Sequence, residues 1–191
     1  MRSKVKLISL TALFAALILV ATAYAKVPLV LGYVHLGDVF IVIACFMLPP
    51  PVAVCVAAIG SMLADLLAGF VLYMPITFLA KGLMALIFSL FYYKKFKLWR
   101  VPVGVIVGSV VMVGLYFVFE MIYYGFPAAL ANLPMQFIQP AVSLPVGSLI
   151  SFGLLKISYI NSLKSEISIK KGQKSKDDGD ENDPKSAKRE P

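Results

Sequence analysis

The side chains of this chain that could do chemistry stand inside apolar runs, where an ionisable or amide group requires a partner, a cavity or a task. Thr77 and Lys81 are four residues apart. Tyr116, Glu120 and Tyr123 recur at four and three, and Asn132, Gln136, Gln139 and Ser143 at four, three and four. On a helix each set forms one polar stripe. Three stripes turned inward at one depth make a pocket of donors and acceptors, fit for a small polar solute. The other halves of the same runs offer no matching series, which argues against a water-filled pore. His35 and Asp38 stand at the outer start of the second apolar run and Tyr73 just before the fourth. The candidate solute contacts are therefore His35, Asp38, Tyr73, Thr77, Lys81, Tyr116, Glu120, Asn132, Gln136 and Gln139.

Several of these positions have plainer readings. Asp38 directly precedes Val39-Phe40-Ile41 and serves equally well as a helix cap. Asp65 continues a small-residue stripe, Ala53, Ala57, Ser61 and Gly69, that suits close packing on a neighbouring helix. A structural ion pair between Asp65 and Lys81 is an alternative to direct solute contact, because burying one charge without the other is prohibitive. His35 reads as polar loop surface, and the tyrosines as an interfacial belt. Glu120 and Gln136 have no partner visible in the sequence and lean towards function. Catalysis would need Ser61 with His35, or Asp65 with Glu120, and neither pair has a supporting motif. No Gly-x-x-x-x-Gly-Lys-Ser/Thr loop is present, so ATP hydrolysis must come from elsewhere. Cys45 and Cys55 lack metal or disulfide spacing and read as small core hydrophobes. No metal and no cofactor is expected.

The elements that position these groups follow from composition. The chain has 191 residues, 60% apolar and 15% charged, against about 25% charged in a soluble domain. Residues 1–160 hold ten Lys or Arg and three Asp or Glu, whereas 161–191 hold eight and seven. The expectation is a membrane domain over 1–160 and a disordered, charged cytoplasmic tail over 161–191. Pro, Gly and charge divide the first part into six apolar segments, near 5–25, 36–48, 52–71, 74–93, 101–124 and 132–157. The fold class is thus an all-α bundle of six transmembrane helices. The second segment is short, so Lys26 to His35 is expected to dip into the outer half of the membrane, and Pro49-Pro50-Pro51 to force a tight inner turn. Arg2, Lys4 and Lys6, with Lys94, Lys95, Lys97 and Arg100, put both termini in the cytoplasm by the positive-inside rule. The net charge of +8 lies mostly in these flanks and does not indicate nucleic acid. Ala23-Tyr24-Ala25 before Lys26 resembles a signal cleavage site, but the apolar run before it is long enough to span.

The segments Leu36-Gly37-Asp38, Gly60 to Gly69 (Gly-Ser-Met-Leu-Ala-Asp-Leu-Leu-Ala-Gly) and Tyr73 to Gly82 (Tyr-Met-Pro-Ile-Thr-Phe-Leu-Ala-Lys-Gly) resemble the substrate-binding S components of energy-coupling factor (ECF) vitamin transporters. The resemblance covers roughly residues 5–157. It implies a solute-capture subunit of a bacterial cell membrane, joined to a transmembrane T subunit and two cytoplasmic ABC ATPases, with no catalysis of its own. The family's Ala-x-x-x-Ala contact with the T subunit matches Ala12 and Ala16. Its pocket, bounded by the first loop and helices four to six, coincides with the stripes. Riboflavin, pyridoxine-type vitamins and the hydroxymethylpyrimidine of thiamine are the solutes implied. A self-sufficient ion-coupled carrier and, further off, an intramembrane enzyme are the alternatives; the hydropathy shows no inverted repeat in favour of the carrier.

Overall fold

A computed structural model describes residues 2–29, 32–92 and 100–155. The cluster Lys94, Lys95 and Lys97 and the tail from 161 lie outside the described residues. Six helices follow in order: α1 Arg2–Ala23, α2 Gly37–Met47, α3 Pro50–Leu67, α4 Met74–Tyr92, α5 Arg100–Tyr124 and α6 Phe126–Leu155. Five of them are long and apolar enough to cross a membrane. Their outward faces are bare hydrocarbon, as at Ile8, Leu90, Ile106, Ile122 and Leu149, which is stable only where lipid is the solvent.

Neighbouring helices close a ring in the order α1, α3, α4, α5, α6, α2, and α2 also reaches α3 and α4. That position explains its composition. At 11 residues it extends only about 16 Å, and nearly every side chain from Val39 to Phe46 is buried. A helix apolar on all sides is a core helix rather than a lipid-facing one. Pro49 is the N-cap of α3 and Pro50 and Pro51 its first turn, where a missing N–H costs no hydrogen bond; the expected tight turn is present.

The bundle departs from the expected boundaries in two connections. The Lys26 to His35 stretch forms a two-stranded antiparallel hairpin, β1 Lys26–Leu29 and β2 Gly32–His35, with Lys26 opposite His35. Within it Val27 and Val34, which are opposite each other, are β-branched residues that favour a strand over a helix. The last helix begins at Phe126, not near 132, because Gly125, at φ 86°, turns the chain in a single residue. Gly69, at φ 81°, does the same after α3, and a side chain at either would be strained.

Close approaches fix the ring. A Cβ on Gly108 would lie 2.5 Å from Phe88 Cε1, and one on Gly147 3.0 Å from the carbonyl oxygen of Val39. These glycines let α5 settle on α4 and α6 on α2. The small-residue stripe of α3 behaves as expected at Ala53, Ala57 and Ser61, all buried. Cys45 is a core residue, but Cys55 is exposed on the opposite face of the packing, so its reading as a core residue is corrected. One side of α1 enters the core through Phe14, Ile18 and Ala21. Its other side, which includes Ala12 and Ala16, is exposed.

Candidate solute-binding site

Four helices, α3 to α6, and the end of β2 enclose a cavity of about 310 Å³. Its floor is an ion pair. Lys81, about two turns into α4, places Nζ 2.7 Å from Asp38 Oδ1, and the same ammonium donates to Met112 Sδ at 3.2 Å. Asp38 is fully buried, and Leu36, not Asp38, occupies the N-cap position of α2, with no side-chain cap bond. The cap reading of Asp38 is therefore replaced by a counter-ion role. The expected Asp65–Lys81 pair is likewise corrected: Lys81 pairs with Asp38. The reason is the start of α2, which lies inside the bundle at the depth of Lys81 and brings the acid to it. Asp65 stands instead on the cavity wall.

The second feature is a clasp between α6 and the end of the hairpin. The His35 N–H donates to Gln139 Oε1 at 3.0 Å, while Gln139 Nε2 donates to the His35 carbonyl at 2.9 Å and Ser143 Oγ to the same carbonyl at 3.0 Å. One amide thus serves both backbone groups of the residue leaving the strand. Such groups would otherwise be unsatisfied where the chain turns from sheet to helix. Gln139 Nε2 also lies 3.4 Å from Asp38 Oδ2, which ties the clasp to the floor.

Higher on the wall Tyr116 donates to Thr77 Oγ1 at 2.9 Å. Above it Glu120 accepts from Gln136 Nε2 at 2.8 Å and from the Tyr73 hydroxyl at 3.3 Å. Tyr73 packs against Phe119, Phe70 and Tyr124, with ring centroids 5.2, 6.2 and 6.3 Å apart. Glu120 and Gln136, which have no evident partners in the sequence, are partners of each other. The wall thus combines aromatic surface with amide, hydroxyl and carboxylate groups, the usual makeup of a small-molecule site.

Nine of the ten candidate contacts line this cavity: His35, Tyr73, Thr77, Lys81, Tyr116, Glu120, Asn132, Gln136 and Gln139. Asp38 does not; it is the buried half of the floor pair, behind Lys81. Phe70, Met112 and Met135 also line it and are absent from the sequence reading, since apolar residues in an apolar run carry no contrast. Met112 was nonetheless within reach, because it stands four residues before Tyr116 and eight before Glu120 on the same face. Ser61 is buried in packing and is not among the lining residues.

The family described as ECF-type riboflavin transporter, S component, matches residues 2–156. This chain belongs to that family. Among curated proteins, an uncharacterized protein of the gap 3' region in Pyrococcus woesei is 26% identical over 139 residues, covering 72% of this chain and 93% of its own length. As an ECF S component the chain is a multi-pass membrane protein and the substrate-capture subunit of a vitamin transporter, a family of transport subunits and not of enzymes. The S-component family implies a vitamin-like solute, and T-subunit and ATPase partners in the membrane.

Proposed function

We propose that this S component captures riboflavin in the cavity above the Lys81–Asp38 pair and passes it to the T subunit and its ATPases for import. The observation that carries this reading is the closed floor. A solute entering between Tyr73 and Asn132 meets a buried ion pair and α2 beneath it, so the cavity is a capture site and not a passage. Release to the other side then needs partners and energy, which the chain does not encode. The volume suits a drug-sized ligand. The tricyclic ring and ribityl chain of riboflavin fill it, whereas the single rings of pyridoxine and hydroxymethylpyrimidine leave much of it empty.

The end of the bundle that carries Gly69 and Gly125 faces outward in this reading, and both termini face the cytoplasm, as the basic residues Lys4, Lys6 and Arg100 favour. Ala12 and Ala16 meet the T subunit. They lie on the free face of α1, opposite the cavity-bearing core, where a second helix can approach closely without disturbing the site. The test is mass spectrometry of the small molecule that co-purifies with the detergent-solubilised chain. Riboflavin released in near-equimolar amount supports the proposal. Release of a different vitamin, from a protein whose cavity variants no longer carry it, refutes the substrate while leaving the capture role.

A further inference from the structure

The chain has one histidine, and it stands at the joint between the hairpin and the bundle. His35 is half-buried, and its Nδ1 lies 3.3 Å from Gln139 Nε2. The orientation of that amide is dictated by the backbone. The His35 N–H can only donate and its carbonyl only accept, so Gln139 Oε1 must face the first and Nε2 the second, as they do at 3.0 and 2.9 Å. A fixed donor therefore faces Nδ1, which makes it the unprotonated nitrogen of a neutral ring, with the hydrogen on Nε2. Asp38 Oδ2 lies 3.4 Å from the same amide nitrogen, so one NH2 group separates the imidazole from a buried carboxylate.

We infer that His35 is a proton-operated latch: as a neutral acceptor it seats the end of the hairpin on α6, and as an imidazolium it expels Gln139 and releases that end. A proton taken from solvent at Nδ1 sets N–H against N–H. The new donor reaches Asp38 Oδ2 only by displacing the amide, and both backbone bonds of His35 to Gln139 go with it. The charges around the ring decide which state holds near neutrality. Asp38 favours the cation, but its Oδ1 is already engaged by the Lys81 ammonium at 2.7 Å. Lys26 stands opposite His35 in the hairpin. Gly37, the first residue of α2, lies beside the ring, and a Cβ on it would be 3.1 Å from Nδ1; the positive end of that helix opposes a cation. From α6 no charged residue faces the ring, and the charges of α1 stand at its opposite end, at Arg2, Lys4 and Lys6. Across the cavity are Asp65, Tyr73, Tyr116 and Glu120. The neutral ring is the resting state, and the latch opens as pH falls through the range where imidazole ordinarily titrates, near about 6.5.

His35 lines the cavity, so its release weakens solute capture in acid. That consequence rests on the capture of riboflavin proposed above; the latch itself does not. A single imidazole of ordinary basicity that must be neutral in the bound state lowers affinity by at most about tenfold between roughly pH 7.5 and 5.5. Riboflavin keeps one charge state over that interval.

Long-range proton–nitrogen NMR of the tag-free, full-length chain labelled at its one histidine tests the latch without any solute. Near neutrality the ring is expected to carry its hydrogen on Nε2. On acidification the ring signal and the exchange protection of the His35 amide, corrected for the intrinsic pH dependence of exchange, are expected to fall together. Riboflavin titration over the same interval is expected to show a several-fold loss of affinity in acid. His35→Asn, which keeps an uncharged acceptor near the position of Nδ1, is expected to flatten that profile. A hydrogen on Nδ1 near neutrality, or a ring that titrates while the amide stays protected, overturns the latch. An equal acid loss in His35→Asn assigns the effect to another group, such as Glu120, and also overturns it. The expected ring form and coupled loss of protection, with no riboflavin binding at any pH, upholds the latch and overturns riboflavin as the solute.

Discussion

Breaking the floor of the cavity has a calculable cost. Two unit charges 2.7 Å apart attract by about 6 kcal/mol at an effective dielectric near 20, and desolvation of both offsets most of that gain. Removal of one partner leaves the other charged, buried and uncompensated, which costs about 3–5 kcal/mol. Lys81→Met therefore strands Asp38, which is fully buried, and Asp38→Asn leaves the Lys81 ammonium without its counter-ion, facing a neutral amide and Met112 Sδ. At about 2–4 °C per kcal/mol for a chain of this size, each single change is expected to lower the melting temperature by roughly 6–20 °C. The double change removes both charges and should recover much of the loss. Thermal melts of the four proteins in detergent, with Asp65→Asn and Asp65→Asn/Lys81→Met as controls, measure this. Recovery in the Asp65 double variant and not in the Asp38 one would refute the assignment of Lys81 to Asp38.

Three other substitutions test separate parts of the account. Gln139→Leu removes the amide that serves both backbone groups of His35; hydrogen exchange at His35 and Leu36 should quicken and solute affinity fall, at a cost of about 1–3 kcal/mol for each stranded group. Ala12→Trp with Ala16→Trp should abolish co-purification with the T subunit and leave solute affinity unchanged, read by pull-down and titration of the same preparation. Gly108→Val drives a side chain into Phe88, whose ring is 2.5 Å from the position of the new Cβ; stability should fall by about 1–3 kcal/mol, seen as a lower melting temperature with the solute-induced shift retained.

Most of the cavity wall was legible in the sequence because polar residues stand out in apolar helices. Lys81, Glu120 and Gln136 each interrupt a run of hydrocarbon, and their spacing reports the face on which they lie. Partnership was not legible, because periodicity gives phase within a helix but not the height of one helix relative to another. Asp65 and Asp38 both precede Lys81 in the chain. Only the packing of α2 against α4, with its start at the depth of Lys81 two turns into that helix, decides for Asp38. The hairpin is hidden for a related reason: the short second segment makes Lys26 to His35 look like membrane-dipping chain, although Val27 and Val34 with Gly32 suit a strand and turn. The early start of α6 is marked only by Gly125 and by Pro127 in the first helical turn, short-range signals that a polar stripe beginning at Asn132 outweighs in the sequence.

The central claim, that this chain alone holds its solute in a closed-floored cavity, is tested most directly by calorimetric titration of riboflavin into the purified S component with no T subunit, ATPase or nucleotide present. The account predicts saturable binding at one site per chain, at micromolar affinity or tighter. Heat that appears only when the T subunit and ATPases are added, with none from the chain by itself, would contradict it.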